Sequence, residues 1–219
     1  MIEKPRWLPE QIKINNEHYA IFIVWLFQIS AIVGVYFGFL NWFISKTPLN
    51  LIIQVLLLFW VFPVRKNKQT LLFILLFCLG MIAEIVGVAT GFPFGTYRYG
   101  ANLGPKLLGV PLLIGCNWAV LVFIGGAIAN RISSNLWIKA IIGGVFMIAL
   151  DIPMEILAPT FDFWEFTPAP PIENYISWFV IGALMHIIFH VFKTKGSFAF
   201  SLNLLLAQFF FFTVLALYL

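Results

Sequence analysis

The chain has 219 residues, of which 62% are apolar and only 10% charged, and its mean hydropathy of +0.98 lies far outside the range of soluble domains. With 13 basic and 9 acidic residues against 25 phenylalanines, it cannot assemble a water-soluble surface, which excludes a soluble enzyme, a nucleic-acid binder, a disordered tail or a disulfide scaffold. The formal net charge of +4 then bears on membrane orientation, and Cys78 and Cys116, each inside an apolar run, leave the redox compartment open.

In chain order, residues 1–18 mix Lys4, Arg6 and Lys13 with Glu3, Glu10 and Glu17 and carry no short apolar region with a small-residue cleavage site. They read as an interfacial tail rather than a signal peptide. A bilayer core takes about 20 apolar residues per helix, and seven stretches follow: 19–44, 50–64, 70–90, 110–129, 136–152, 175–192 and 197–219. The second is short and carries Pro63 near its end. The expectation is one all-α membrane domain over residues 1–219, a bundle of about seven transmembrane helices, with no soluble domain or internal repeat. Lys4, Arg6, Lys13, Arg65, Lys66, Lys68, Arg131, Lys139, Lys193 and Lys195 fall on one set of alternate connections, and Lys46, Arg98 and Lys106 on the other. This bias places the N-terminus in the cytoplasm and the C-terminus outside, the expected location being a bacterial inner membrane.

Every acid beyond the tail falls on the outer side: Glu84, Asp151, Glu155, Asp162, Glu165 and Glu173. Glu84 lies about two helical turns, ~10 Å, below the loop that follows its span, and a carboxyl at that depth is a functional candidate because it is expensive to hold there. Asp151 and Glu155 are spaced i, i+4, close enough to share a helix face. Pro153 between them is expected to kink or end the helix. Two carboxyls that near resist joint ionisation, so one can act as acid and another as base.

The long outer loops, 91–109 and 153–174, hold most of the Gly and Pro punctuation and many aromatic residues. In GFPFGTYRYG, Phe94, Tyr97 and Arg98 suit a lid in which the arginine bonds a carboxylate and the rings wall an apolar slot; Asn117 and Trp118 open the next span. The second loop adds Trp164, Asn174 and Trp178. His186 and His190, one turn apart, would need a third ligand at their depth, and the acids lie on the other side, so no metal site is expected. Gly34/Gly38, Gly87/Gly91, Gly125-Gly126 and Gly143-Gly144 permit close helix approach.

Three segments, TGFPFGTYRYGANLGPKLLGVPL (90–112), DIPMEILAP (151–159) and DFWEFTPAPPIENYISWF (162–179), together with the Glu six residues before Thr90-Gly91, resemble the integral-membrane carotenoid biosynthesis family that contains carotenoid 1,2-hydratases acting on γ-carotene, lycopene and bacterioruberin precursors. The likeness covers about residues 80–180. Two positions depart from the family pattern: Ile156 rather than proline follows Glu155, and Trp-x-Trp becomes Trp164-Glu165-Phe166, which leaves the end-group preference open. The family is also similar to heterodimeric-type lycopene cyclases in size and acid chemistry.

The resemblance implies addition of water across the C1=C2 bond of an acyclic carotenoid end group: a proton to C2, a tertiary cation at C1, and capture by water, with no cofactor. Glu84 is then expected as the acid and Asp151 with Glu155 as the water-activating pair, although these roles are exchangeable. Phe94, Tyr97, Trp118, Trp164 and Trp178 would face the cation, and Asn117 and Asn174 would orient the water. The implied partners are a membrane-dissolved carotenoid and the lipid bilayer, with a homo-oligomer or contact with other carotenoid enzymes left open. A retinal protein would need a lysine in 197–219, which has none, and a di-iron hydroxylase needs more histidines than His18, His186 and His190. A carotenoid cyclase, a prenyl transferase, a proton-coupled transporter and a non-catalytic carotenoid-binding protein are the competing readings.

Overall fold

The computed structural model describes residues 15–62 and 67–219. The expectations for most of the amino-terminal tail and for Pro63, Arg65 and Lys66 lie outside the described residues. Helix α1 (Asn16–Tyr36) begins earlier than hydropathy suggests, because the Asn15 side chain accepts from the His18 N–H and the His18 ring bonds back in a capping box. Its end corrects the first predicted span: residues 19–44 are not one helix. Gly38 (φ 86°) closes α1 with the paired bonds Phe39 N–H to Gly34 O and Gly38 N–H to Val35 O, both 2.9 Å, the geometry of a Schellman cap. A short helix α2 (Leu40–Ile44) then folds back, and Gly34 gives it room, since a Cβ there would overlap the Phe43 ring.

Helix α3 (Thr47–Val61) is 15 residues long. Five helices follow: α4 (Asn67–Thr90), α5 (Leu112–Ile132), α6 (Leu136–Leu157), α7 (Ile172–Val191) and α8 (Phe198–Tyr218). Among the described residues, α1 and α4 to α8 are long and apolar enough to cross a membrane, and α3 is a shorter apolar helix. The chain is an integral membrane protein of the expected all-α class.

Helix α6 supplies a second correction, since it runs through Pro153 to Leu157. The proline withdraws one N–H, a loss that packed transmembrane helices tolerate, and Ala158 N–H still bonds Met154 O at 2.8 Å. Asp151 and Glu155 therefore do share one inward face, while Ile152 and Ile156 point outward at 49% and 61% exposure.

Helix α5 is the axis of the bundle. It packs against α3, α4, α6, α7 and α8, and Trp118 through Ala129 are buried without a break, as a helix enclosed on every side requires. Its glycines let α7 approach: a Cβ on Gly125, or on Gly143 of α6, would lie 2.6 or 2.2 Å from the His186 ring. His186 is wholly buried in that contact, and its Nδ1 bonds Gly182 O at 2.7 Å.

At the end of the bundle that holds the acids, the two long loops join. Strand β1 (Tyr97–Tyr99) pairs antiparallel with β4 (Trp164–Phe166), in the register Tyr97 with Phe166, Arg98 with Glu165 and Tyr99 with Trp164. Strands β2 (Lys106–Leu107) and β3 (Val110–Pro111) form a separate hairpin. Asp162 ties the loops further, its carboxylate accepting from Ala101 N–H at 2.8 Å, and Ser177 of α7 donates to Pro93 O at 2.8 Å.

Candidate active site

Alternation along β1 decides which side chains enter the bundle. Tyr97 and Tyr99 point inward and Arg98 points out. Both tyrosine hydroxyls donate to Oε2 of Glu84, at 2.6 and 2.7 Å, and the Trp118 indole N–H donates to Oε1 at 2.9 Å. Glu84, 2% exposed, thus carries three donors from two elements other than its own. Gly87, one turn along α4, makes the contact possible: a Cβ there would lie 2.6 Å from the Tyr97 hydroxyl and 2.7 Å from the Phe94 ring. Burial first, and then the charge of Glu84, hold the hydroxyls of Tyr97 and Tyr99 well above the ordinary phenol range, so both remain protonated donors.

Across α5, the Asn174 amide bridges the other two acids, donating to Asp151 Oδ2 at 3.1 Å and Glu155 Oε1 at 3.0 Å. The Trp164 indole, brought in by β4, donates to Glu155 Oε2 at 2.9 Å. Asp151 Oδ1 is the one oxygen of these three carboxyl groups with no hydrogen-bond partner among the described residues, although the residue is completely buried. The expected acids are therefore all interior, and Asp151 and Glu155 form a linked pair.

A cavity of about 20 Å³ is walled by Glu84, Glu155, Asn117 and Asn174 and by the rings of Phe94, Tyr97, Tyr99, Trp164, Phe166 and Trp178, a volume suited to one water molecule. Trp118 backs it by stacking on Trp178, with centroids 4.3 Å apart at 19°. Ile114, Asn117 and Trp164 also line a second, mostly apolar cavity of about 300 Å³ that extends along α1, α3 and α8. The chemistry available is proton transfer among carboxyl groups around a confined water, beside a slot fit for a hydrocarbon.

Phe94, Tyr97, Asn117, Trp118, Trp164, Asn174 and Trp178 all gather at this site. Arg98 does not: it bonds a carboxylate as expected, but that of Glu165 on the outer face of the sheet, at 2.9 Å with side chains 82% and 55% exposed. Tyr99 and Phe166 were missed. The signal for Tyr99 was present in the period of two in Tyr97-Arg98-Tyr99, which places the two tyrosines on one face and the arginine on the other.

Fold and site together define a polytopic helical membrane protein with three buried carboxyl groups beneath a two-stranded aromatic lid. A family model described as "Carotenoid biosynthesis protein" matches residues 46–219, and the chain belongs to that family, which bears out the resemblance seen in its motifs. It is similar to a protein of Haloarcula japonica named bisanhydrobacterioruberin hydratase, with 26% identity over 168 residues, 70% of this chain and 53% of the relative. The chain spans about half the length of that curated relative. No solved structure matches it.

Proposed function

We propose that the chain is a carotenoid hydratase, adding water across the C1=C2 double bond of an acyclic carotenoid end group of the γ-carotene, lycopene or bacterioruberin-precursor type. The observation that carries this reading is the water-sized cavity between Glu84 and Glu155, which shares wall residues with the larger apolar cavity. The similarity to a protein named a hydratase supports it.

The hydrogen bonds favour the exchanged assignment of roles. Glu84 Oε2 accepts two hydroxyl hydrogen bonds and Oε1 an indole one, which suits it to receive water's proton rather than to hold one at rest, whereas Asp151 Oδ1 has no donor among the described residues. The Asp151–Glu155 pair then holds one proton, which Glu155, at the cavity wall, passes to C2. The alkene's π electrons form the new C2–H bond, leaving a tertiary cation at C1 that faces the rings of Trp164, Trp178 and Tyr97. Water held near Asn117 and Asn174 attacks C1, and its released proton goes to Glu84 and must return to the Asp151–Glu155 pair before the next turnover. No cofactor takes part in this scheme. The lid faces outward if the N-terminus is cytoplasmic, as the basic connections indicate.

The test is expression in a bacterial host engineered to accumulate lycopene or γ-carotene, with the pigment followed by chromatography and mass spectrometry. A gain of one water per acyclic end supports the hydratase; unchanged mass with a shifted spectrum means cyclisation, and unaltered pigment for both substrates removes the assignment for them.

A further inference from the structure

The larger cavity contains polar groups that the proposed hydration does not use. Gln28 of α1, Gln54 of α3 and Gln208 of α8 all line it, each from the middle of an apolar helix and each no more than 4% exposed. The Gln208 amide donates to Gln54 Oε1 at 2.6 Å. The amide oxygens of Gln28 and Gln208 have no partner among the described residues. An unmatched buried amide is destabilising, and two of them at one apolar cavity need a ligand that brings its own hydrogen-bonding group. A wholly hydrocarbon polyene offers none. A hydroxyl can donate to either oxygen and accept from an amide N–H, so it satisfies the cluster whichever way each amide is turned.

We propose that Gln28, Gln54 and Gln208 form a hydroxyl-recognition subsite, so that the cavity takes an isoprenoid alcohol, a polyene already carrying one hydroxyl, in preference to the bare hydrocarbon. The proposal rests on the carotenoid reading for the polyene but not for the hydroxyl. The subsite and the acids lie in adjacent cavities, since Asn117, Ile114 and Trp164 line both. A chain anchored by its hydroxyl at the glutamines lies in a cavity that shares wall residues with the one holding Glu84 and Glu155. The three glutamines come from helices that contribute none of the acids, so preference for the alcohol and chemistry at the alkene are separable by mutation.

The experiment uses the full chain in detergent or nanodiscs and measures binding rather than turnover, through quenching of tryptophan fluorescence from Trp42 and Trp164 at the cavity wall. Two probe pairs are titrated: lycopene against its 1-hydroxy derivative, and farnesene against farnesol. The alcohol of each pair is expected to bind about tenfold more tightly, the worth of one buried hydrogen bond. In Gln28→Met, which keeps side-chain length in an apolar form, the ratio of affinities falls toward one. The paired change Gln54→Leu with Gln208→Leu, which removes both partners of their bond and leaves neither orphaned, does the same and guards against a folding defect in the single variant. Equal affinity for alcohol and hydrocarbon in the unmodified protein overturns the proposal, as does a preference that survives both variants. If farnesol is preferred while neither polyene binds, the subsite stands and the carotenoid reading falls.

Discussion

Tyr97 and Tyr99, two residues apart on one short strand, place both hydroxyls on the same carboxylate oxygen of Glu84, at 2.6 and 2.7 Å. The strand lies outside the bundle and the acid within it, so the pair ties the loop layer to the buried carboxyl group.

Removing either hydroxyl should therefore lower turnover without unfolding the protein. Tyr99→Phe keeps the ring against Trp164 but takes one of three donors from Glu84, and a fall of about ten- to a hundredfold is expected in pigment conversion. A drop of less than twofold would mean that the third donor contributes nothing. Both phenols have folded-state values raised above their ordinary 10.0, which fixes the sign of a pH effect. The unfolded chain loses these protons first as pH rises, so their contribution to stability is complete below pH 10 and declines above it. Thermal unfolding followed from pH 7 to 11 should show this loss, and it should be smaller in the double variant Tyr97→Phe, Tyr99→Phe.

Among the described residues, Asn174 is the only donor to Asp151 and one of two to Glu155. Asn174→Leu leaves buried carboxyl oxygens unpaired, an expected loss of about 1–3 kcal/mol, and uncouples the pair proposed to hold the proton. Turnover should fall by about a hundredfold or more, beyond what the stability change explains. Activity near the unmodified level in a correctly folded Asn174→Leu protein would rule out the Asp151–Glu155 pair as the proton source.

Much of this arrangement was legible in the residues. The apolar stretches located the bundle, and Glu84, Asp151 and Glu155 stood out because carboxyl groups at membrane depth are rare. What hydropathy could not register was backbone: the stop at Gly38 is a single positive φ inside an apolar run, and the passage of α6 through Pro153 depends on neighbours that the local sequence does not name. The pairing of β1 with β4 joins residues 65 to 69 positions apart and reverses the sense of Arg98. Once Arg98 is placed opposite Glu165, the tyrosines on either side of it must point inward.

Gly87→Ala tests that inward packing. Alanine is the better helix former by about 1 kcal/mol, so local propensity alone predicts a gain. The added methyl group would sit 2.6 Å from the Tyr97 hydroxyl and 2.7 Å from Phe94, closer than van der Waals contact allows. The expected result is a folded protein with turnover reduced at least as far as in Tyr97→Phe. Full activity in Gly87→Ala would mean that the Tyr97 contact with Glu84 is dispensable.

Arg98 and Glu165 supply the contrasting case. Their pair is solvent-exposed, and such pairs contribute about 0–1 kcal/mol, less at high salt. A double-mutant cycle with Arg98→Gln and Glu165→Gln should give a coupling energy within that range, and Arg98→Gln should reduce turnover less than Tyr97→Phe does. A larger loss in Arg98→Gln would return the arginine to the substrate.

Glu84→Gln bears most directly on the chemistry. The substitution preserves size, and its NH2 group can donate to the two tyrosine hydroxyls while the amide oxygen still accepts from Trp118, so the charge and the capacity to take up a proton are lost with little change in hydrogen bonding. Turnover should be abolished while the amount of membrane-inserted protein stays near that of the unmodified chain. Asp151→Asn should also inactivate, since the orphaned Oδ1 is the proposed resting place of the proton. The two variants part on a pigment that already carries its tertiary hydroxyl. Dehydration retraces the same steps with acid and base exchanged: Glu84, carrying the proton it took from water, protonates the leaving hydroxyl first, and the Asp151–Glu155 pair then removes the proton from C2. Followed as exchange of that hydroxyl's oxygen with labelled water, which needs ionisation but no proton transfer at C2, Asp151→Asn should retain more activity than Glu84→Gln. The opposite order would restore Glu84 as the acid and make the Asp151–Glu155 pair the base.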